Sequence, residues 1–177
     1  MIFIDVDCVC TDWNKSCCKL FNYPYIFDDP KFTNKTNIVL GITDRQLWEK
    51  IDAEKEKFWE EMEPLPWFEN LIKLVNQYDD WRFLTSPSLS SYAASGKILW
   101  FQKYFGKHFK KYIITPKENK PLLAHHNILI DDMDKNCEEF HKAGGYSIVF
   151  PCVHNSVSHL INERLEFIER TLKEYYL

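Results

Sequence analysis

Nothing in the 177-residue sequence approaches the ~20-residue apolar run that a helix needs to cross a bilayer. Its amino end opens on a strand-like run in place of the charged region and long apolar stretch of a secretory signal. The expectation is an intracellular, cytoplasmic protein with reduced thiols. Excess charge of one sign is also missing. Lys and Arg number 22 against 26 Asp and Glu, a net of −4, which excludes a broad electrostatic footprint for duplex nucleic acid or an anionic membrane. The six cysteines include no C-x-x-C pair, and Cys8-x-Cys10 and Cys17-Cys18 have no His or Cys cluster at zinc-ligand spacing, which argues against structural zinc. Internal repeats and low-complexity tracts are absent too.

What is present is ordinary for a globular chain: 45% hydrophobic and 27% charged residues, enough for one buried core with an elaboration. The first thirteen residues organise the rest. Ile2–Val6, β-branched and aromatic without Gly or Pro, reads as a strand buried on both faces. It carries Asp5 and Asp7, two positions apart and so on one face of an extended backbone, where two acids repel unless a cation or a shared proton lies between them.

Periodicity lays out the remainder. A helix is predicted from Thr11 to about Phe21, then loop chemistry from Asn22 to Gly41, then a helix capped at Thr43-Asp44 and running to about Met62. Glu63-Pro64-Leu65-Pro66 breaks it. Residues 14–64 thus read as an inserted helical subdomain, with 1–13 and 65–177 as the core. Beyond the break come a helix at Phe68–Val75, a strand at Trp81–Leu84, a helix ending near Gly106, strands at Tyr112–Ile114 and Ile128–Ile130, a helix at Asp134–Ala143, a strand at Tyr146–Phe150, and a final amphipathic helix carrying Val157, Leu160, Ile161, Leu165, Ile168 and Leu172. Strands alternating with helices predict an α/β fold, a parallel sheet with helices on both faces.

In such sheets ligands lie beyond the carboxyl ends of the strands. The residues that follow the strands are Asp5 and Asp7, then Thr85-Ser86-Pro87-Ser88, then Thr115 to Lys120, then Asp131-Asp132. Each has a plain structural reading as a turn, a solvated lysine or a helix start. Together they suit phosphoryl transfer: carboxylates as hard ligands for Mg²⁺, a lysine and hydroxyls for phosphate oxygens, an Asp able to attack phosphorus and a second able to handle the proton.

The order Asp5-x-Asp7-x-Val9, Thr85-Ser86, Lys120, Asp131-Asp132 resembles the four motifs of the haloacid dehalogenase (HAD) superfamily of phosphohydrolases. The Asp-x-Asp-x-Val-x-x-Asp start, the Glu63-Pro64-Leu65-Pro66 break, Thr85-Ser86-Pro87, Gly96-Lys97-x-x-Trp100 and Leu129-Ile130-Asp131-Asp132 are similar to the 5'(3')-deoxyribonucleotidases and their phage and bacterial relatives. The resemblance covers most of the chain and is weakest from Lys15 to Lys57. It implies a Rossmann-like core with a small helical cap after the first strand, and Mg²⁺ as cofactor. It implies Asp5 as nucleophile and metal ligand, Asp7 as general acid/base with its backbone carbonyl on the metal, and Asp132 as the second carboxylate ligand. Thr85, Ser86, Lys97 and Lys120 would hold phosphate, Asp131 would position a metal-bound water or Lys120, and Trp13 would line a nucleoside pocket. Two features depart from those relatives: Cys8 stands where Gly is usual, and the segment from Thr115 to Lys120 is two residues longer, which sets Lys117 against Lys120.

The implied activity is hydrolysis of (deoxy)nucleoside monophosphates through an aspartyl phosphate, in a chain for which a homodimer is open. Trp48, Phe58, Trp59 and Trp67 are candidates to stack on a base, with cap core as their commoner use. The alternatives are a phosphatase of another small phosphate ester or of a polynucleotide 3' end, and a non-catalytic binding protein of the same fold.

Overall fold

Ile2–Ile4 forms β1, the middle of a five-stranded sheet in the order β3-β2-β1-β4-β5, where β2 is Trp81–Thr85, β3 Tyr112–Ile114, β4 Ile128–Asp131 and β5 Tyr146–Val149. The computed structural model describes residues 1–33 and 35–177; Asn34, inside the expected loop, lies outside them. Every pairing is parallel. Ile2 lies opposite Trp81 on one side and Ile128 on the other. This register brings the ends of β1, β2 and β4 to one edge, so the acids and hydroxyls that follow them meet there.

The two-residue period of β1 sorts the core. Ile2 and Ile4 face a large cluster with Phe83, Trp100, Phe101, Leu71, Val75, Ile168 and Leu172, whereas Phe3 joins Leu129, Leu84 and Phe140 in a smaller one. Helices α5 (Phe68–Val75), α6 (Ala93–Phe105) and α8 (Arg164–Tyr176) therefore cover one face and α7 (Asp134–Lys142) the other. Gly106 ends α6 with φ +91°, a conformation open to glycine at little cost.

Between β1 and β2 lie α1 (Trp13–Leu20), α2 (Thr36–Val39), α3 (Asp44–Ala53) and α4 (Glu56–Glu60). Thr43 caps α3 reciprocally with Gln46, as its sequence predicts. The long helix expected to reach Met62 is interrupted: Lys55 takes φ +55° between α3 and α4, which lets Phe58 and Trp59 turn inward while Ile51 stays buried. The expected final helix also begins later. Val157–Ile161 forms turns, and α8 starts at Arg164.

The insert is seated on α6. Trp100 Nε1 donates to the Met62 carbonyl at 2.9 Å, and a Cβ on Gly96 would stand 2.6 Å from the Trp59 Cβ and 2.7 Å from the Glu56 carbonyl oxygen. Only glycine admits that approach. The segment after α1 is tied down by polar contacts. Tyr25 donates its hydroxyl to Asp12 at 2.7 Å, and Arg164, stacked on Trp67 at 4.2 Å, donates to Asp28 at 2.7 Å. No helix among the described residues is long and apolar enough to cross a membrane, and the six cysteines are free.

Candidate active site

β1 ends in a tight turn. The Cys8 N–H donates to the Thr11 carbonyl, and those of Cys10 and Thr11 to the Val6 carbonyl, with Cys8 at φ +63°. That is the left-handed region, costing a side-chain-bearing residue on the order of 1 kcal/mol or more. Here a cysteine occupies the position, its carbonyl facing the Cys152 thiol at 3.5 Å.

The turn delivers its two acids to different partners. Lys120 donates to Asp5 Oδ1 at 2.8 Å and to Asp131 Oδ2 at 2.6 Å. Lys97, on α6, donates to Asp7 Oδ2 at 2.7 Å, to Thr85 Oγ1 at 2.7 Å and to the Ser86 carbonyl at 3.1 Å. Both lysines are buried, at 2% and 3% exposure. Lys117 is exposed, so of the two candidate lysines only Lys120 reaches the acids.

Side-chain oxygens of Asp5, Asp131 and Asp132 lie within 4.8 Å of one another, all three residues buried. The Asp7 carboxylate lies outside this group, because Lys97 draws it toward β2. Burial, and after it the Asp5 charge, push Asp131 up to about 7 against the pull of Lys120. Burial opposes the charge on Lys120, but Asp5 and Asp131 outweigh it and hold its pKa above the ordinary value. Asp131 is over-determined: it also accepts from Asn136 Nδ2 at 3.0 Å and from the Met133 N–H at 2.9 Å, which fixes its orientation and leaves it a poor candidate to swing onto a ligand.

One lysine against three clustered carboxylates leaves excess negative charge in a low-dielectric place. Hard oxygen donors in that number fit a small divalent cation such as Mg²⁺, which takes one or two protein carboxylates together with waters and substrate phosphate. The hydroxyl side also has an opening. Ser86 Oγ is buried with no hydrogen-bond partner, and an unpaired buried hydroxyl beside a lysine is what an oxyanion would satisfy.

Trp13 sits on α1 just beyond the turn, its ring 5.8 Å from Trp48, 5.5 Å from Phe58 and 5.5 Å from Trp59, and its Nε1 donates to Thr36 Oγ1 at 3.2 Å. Phe58 and Trp59 are buried, so core is their observed use; Trp13 and Trp48 keep part of their surface. Trp67 packs elsewhere, against Phe150 and Arg164, with Nε1 on the Val9 carbonyl at 2.8 Å. It borders a cleft whose walls include Cys8, Trp13, Tyr25 and His154 but none of the three acids.

Three contributors were not read from the sequence. His154 Nε2 lies 2.7 Å from Asp132 Oδ2, and Asn155 Nδ2 donates to the Asp132 carbonyl at 2.8 Å. Both follow β5, at the same carboxyl edge of the sheet as the acids. Asn136, on α7, was likewise unforeseen.

The model of a family described as "5' nucleotidase, deoxy (Pyrimidine), cytosolic type C protein" matches residues 1–166. No curated protein matches. Among solved structures, the HAD-hydrolase YfnB of Bacillus subtilis bound to magnesium aligns with a TM-score of 0.53 at 16% identity, over 82% of this chain and 84% of that one. A phosphonoacetaldehyde hydrolase-like protein of Oleispira antarctica aligns with 0.49 at 11% identity, over 99% and 83%. A HAD family enzyme of Bacteroides thetaiotaomicron, in complex with magnesium and inorganic phosphate, aligns with 0.45 at 15% identity, over 90% and 97%.

Proposed function

The chain belongs to the family of 5' nucleotidases, deoxy (pyrimidine), cytosolic type C, and is a phosphoric monoester hydrolase with the HAD-type α/β fold; from that premise we propose that it is a Mg²⁺-dependent hydrolase of (deoxy)nucleoside monophosphates. The observation that carries this reading is the convergence of Asp5, Asp131 and Asp132 at the sheet edge, with Lys120 bridging Asp5 and Asp131, beside the unpaired Ser86 hydroxyl. Asp5 and Asp132, with the Asp7 backbone carbonyl, hold the cation. When bound, it neutralises phosphate charge and polarises phosphorus toward attack.

A free oxygen of Asp5 attacks phosphorus, the bond to the nucleoside oxygen breaks, and that oxygen takes a proton from Asp7. Asp7 then accepts a proton from the water that attacks the aspartyl phosphate, and the phosphorus–oxygen bond to Asp5 breaks to release phosphate. Lys120 has three N–H donors, two committed to Asp5 and Asp131, so one is left for a phosphate oxygen. The Ser86 hydroxyl and the O–H of Thr85 supply others. Lys97 spends all three of its donors on Asp7, Thr85 and the Ser86 carbonyl; it borders the phosphate and acts chiefly by holding the acid.

Residues 14–64 serve as the cap over this edge, and the open faces of Trp13 and Trp48 receive the base. The test is phosphate release from a panel of nucleoside monophosphates, deoxy against ribo and 5' against 3', by the parent chain and by Asp5→Asn. Release should be Mg²⁺-dependent and vanish in the variant. Full activity of Asp5→Asn on every monophosphate would overturn the reading.

A further inference from the structure

Of the three clustered acids, Asp5 and Asp131 share Lys120, while Asp132 depends on a different source. Beyond β5 the chain turns at Pro151 and sends two polar side chains back to Asp132. Asn155 works on the main chain: Nδ2 donates to the carbonyls of Asp132 at 2.8 Å and Phe150 at 2.7 Å, and Oδ1 accepts from the Cys152 N–H at 3.2 Å. One buried amide thus bolts the residues just past β4 to those just past β5. His154 works on the side chain, with Nε2 at 2.7 Å from Asp132 Oδ2. Among the described residues no other side chain donates to that carboxylate, and none meets Oδ1.

The terminal torsion of an aspartate is soft and broad, so a carboxylate without a fixed donor samples many orientations and loses that freedom when it ligates. Pinning one oxygen aims the other. We infer that His154 and Asn155 are positioning residues that present Asp132 Oδ1 to the divalent cation, an inference that rests on the proposed use of Asp5 and Asp132 as metal ligands. The distance from His154 to the carboxylate is that of a hydrogen bond, so it acts on the cation through Asp132. Neither residue contacts Asp5 or Lys120, so metal affinity can change while the nucleophile and its lysine stay as they are.

The experiment is isothermal titration of Mg²⁺ into the metal-free full chain, alongside His154→Phe, His154→Gln and Asp132→Asn, with melting temperatures to check folding. His154→Phe keeps a ring of similar size without the donor, whereas His154→Gln places an amide nitrogen near the Nε2 position. The expected result is a Kd weakened roughly 10- to 100-fold in His154→Phe, largely recovered in His154→Gln. His154→Phe that is folded and binds Mg²⁺ as tightly as the parent overturns this inference alone; a parent chain that binds no Mg²⁺ overturns it together with the metal reading. A second measurement needs no variant: the His154 imidazole Nε2–H resonance of the parent should shift on saturation with Mg²⁺, and an unmoved resonance would overturn the inference even if His154→Phe fails to fold.

Discussion

Two buried lysines meet the turn after β1, and the turn's acids divide between them. Lys120 joins two acids that are themselves buried, Asp5 at 8% exposure and Asp131 at 0%, and keeps one N–H uncommitted. Lys97 joins Asp7, whose side chain is 30% exposed, to the turn after β2, and has no N–H to spare. The first arrangement is a charge cluster largely shielded from water. The second is a clamp whose acid still touches solvent, so the acid proposed to exchange protons with a leaving group and then with water sits on the side where water is available. Identical residue pairs are thus separated by burial and donor count.

The sharpest way to break this comparison is Lys120→Met. It leaves Asp5 and Asp131 without their shared cation in a dry site, and should cost roughly 3–5 kcal/mol of stability in chemical denaturation. Phosphate release should fall on the order of 10²–10³-fold. Gly96→Ala comes next: a Cβ at 2.6–2.7 Å from Trp59 and the Glu56 carbonyl must push α6 and the insert apart, at about 1–3 kcal/mol. Because Lys97 is the neighbouring residue, this change should disturb kcat while the Lys120 cluster, on another element, is unaffected in Mg²⁺ affinity.

Lys97→Met should cost less than Lys120→Met, about 1–2 kcal/mol, since Asp7 regains water when its partner is removed. Its kinetic signature should be a drop of roughly 10²-fold in kcat with KM little changed, the mark of a misplaced acid. A loss of stability equal to that of Lys120→Met would remove the distinction drawn from burial. The smallest effect belongs to a solvent-facing reference pair at the opposite end of β1, where the Met1 amine donates to Asp79 at 2.8 Å. The amine, with Tyr176 assisting, holds Asp79 below its ordinary 3.8. A depressed carboxylate pKa stabilises the fold above the unfolded value and loses that contribution as pH falls through the folded one. Asp79→Asn should therefore cost under ~0.5 kcal/mol at neutral pH, a difference from the parent that vanishes below pH 3.8 in denaturation at matched salt.

Much of this was legible in the sequence because it follows from local rules. The strand ends named the acids, Gly106 marked the end of α6, and Thr43-Asp44 marked the start of α3. What stayed hidden depends on contacts distant in sequence. Lys55 at φ +55° is not a residue that announces a break; the interruption follows from Trp59 having to meet Gly96. Asp7 resembles Asp5 in the sequence, and only the approach of Lys97, 90 residues away, draws it out of the metal cluster. His154 and Asn155 lie beyond an edge strand whose end carries no acid, so no residue type there pointed to the site.

The tie between Asp28 and Arg164 spans 136 residues. Arg164 stands at the start of α8, and its guanidinium is completed by the Pro151 and Ile161 carbonyls. The segment that follows α1 therefore lacks the second of its two fastenings until most of the polypeptide has left the ribosome. A loop closed over so long a span is slow to form and is expected to be among the late steps of folding. In a nascent chain stopped short of α8, the Asp5 turn would already have its sheet partners while the wall beside it stayed loose, so the enzyme would acquire its acids before it acquired its enclosure.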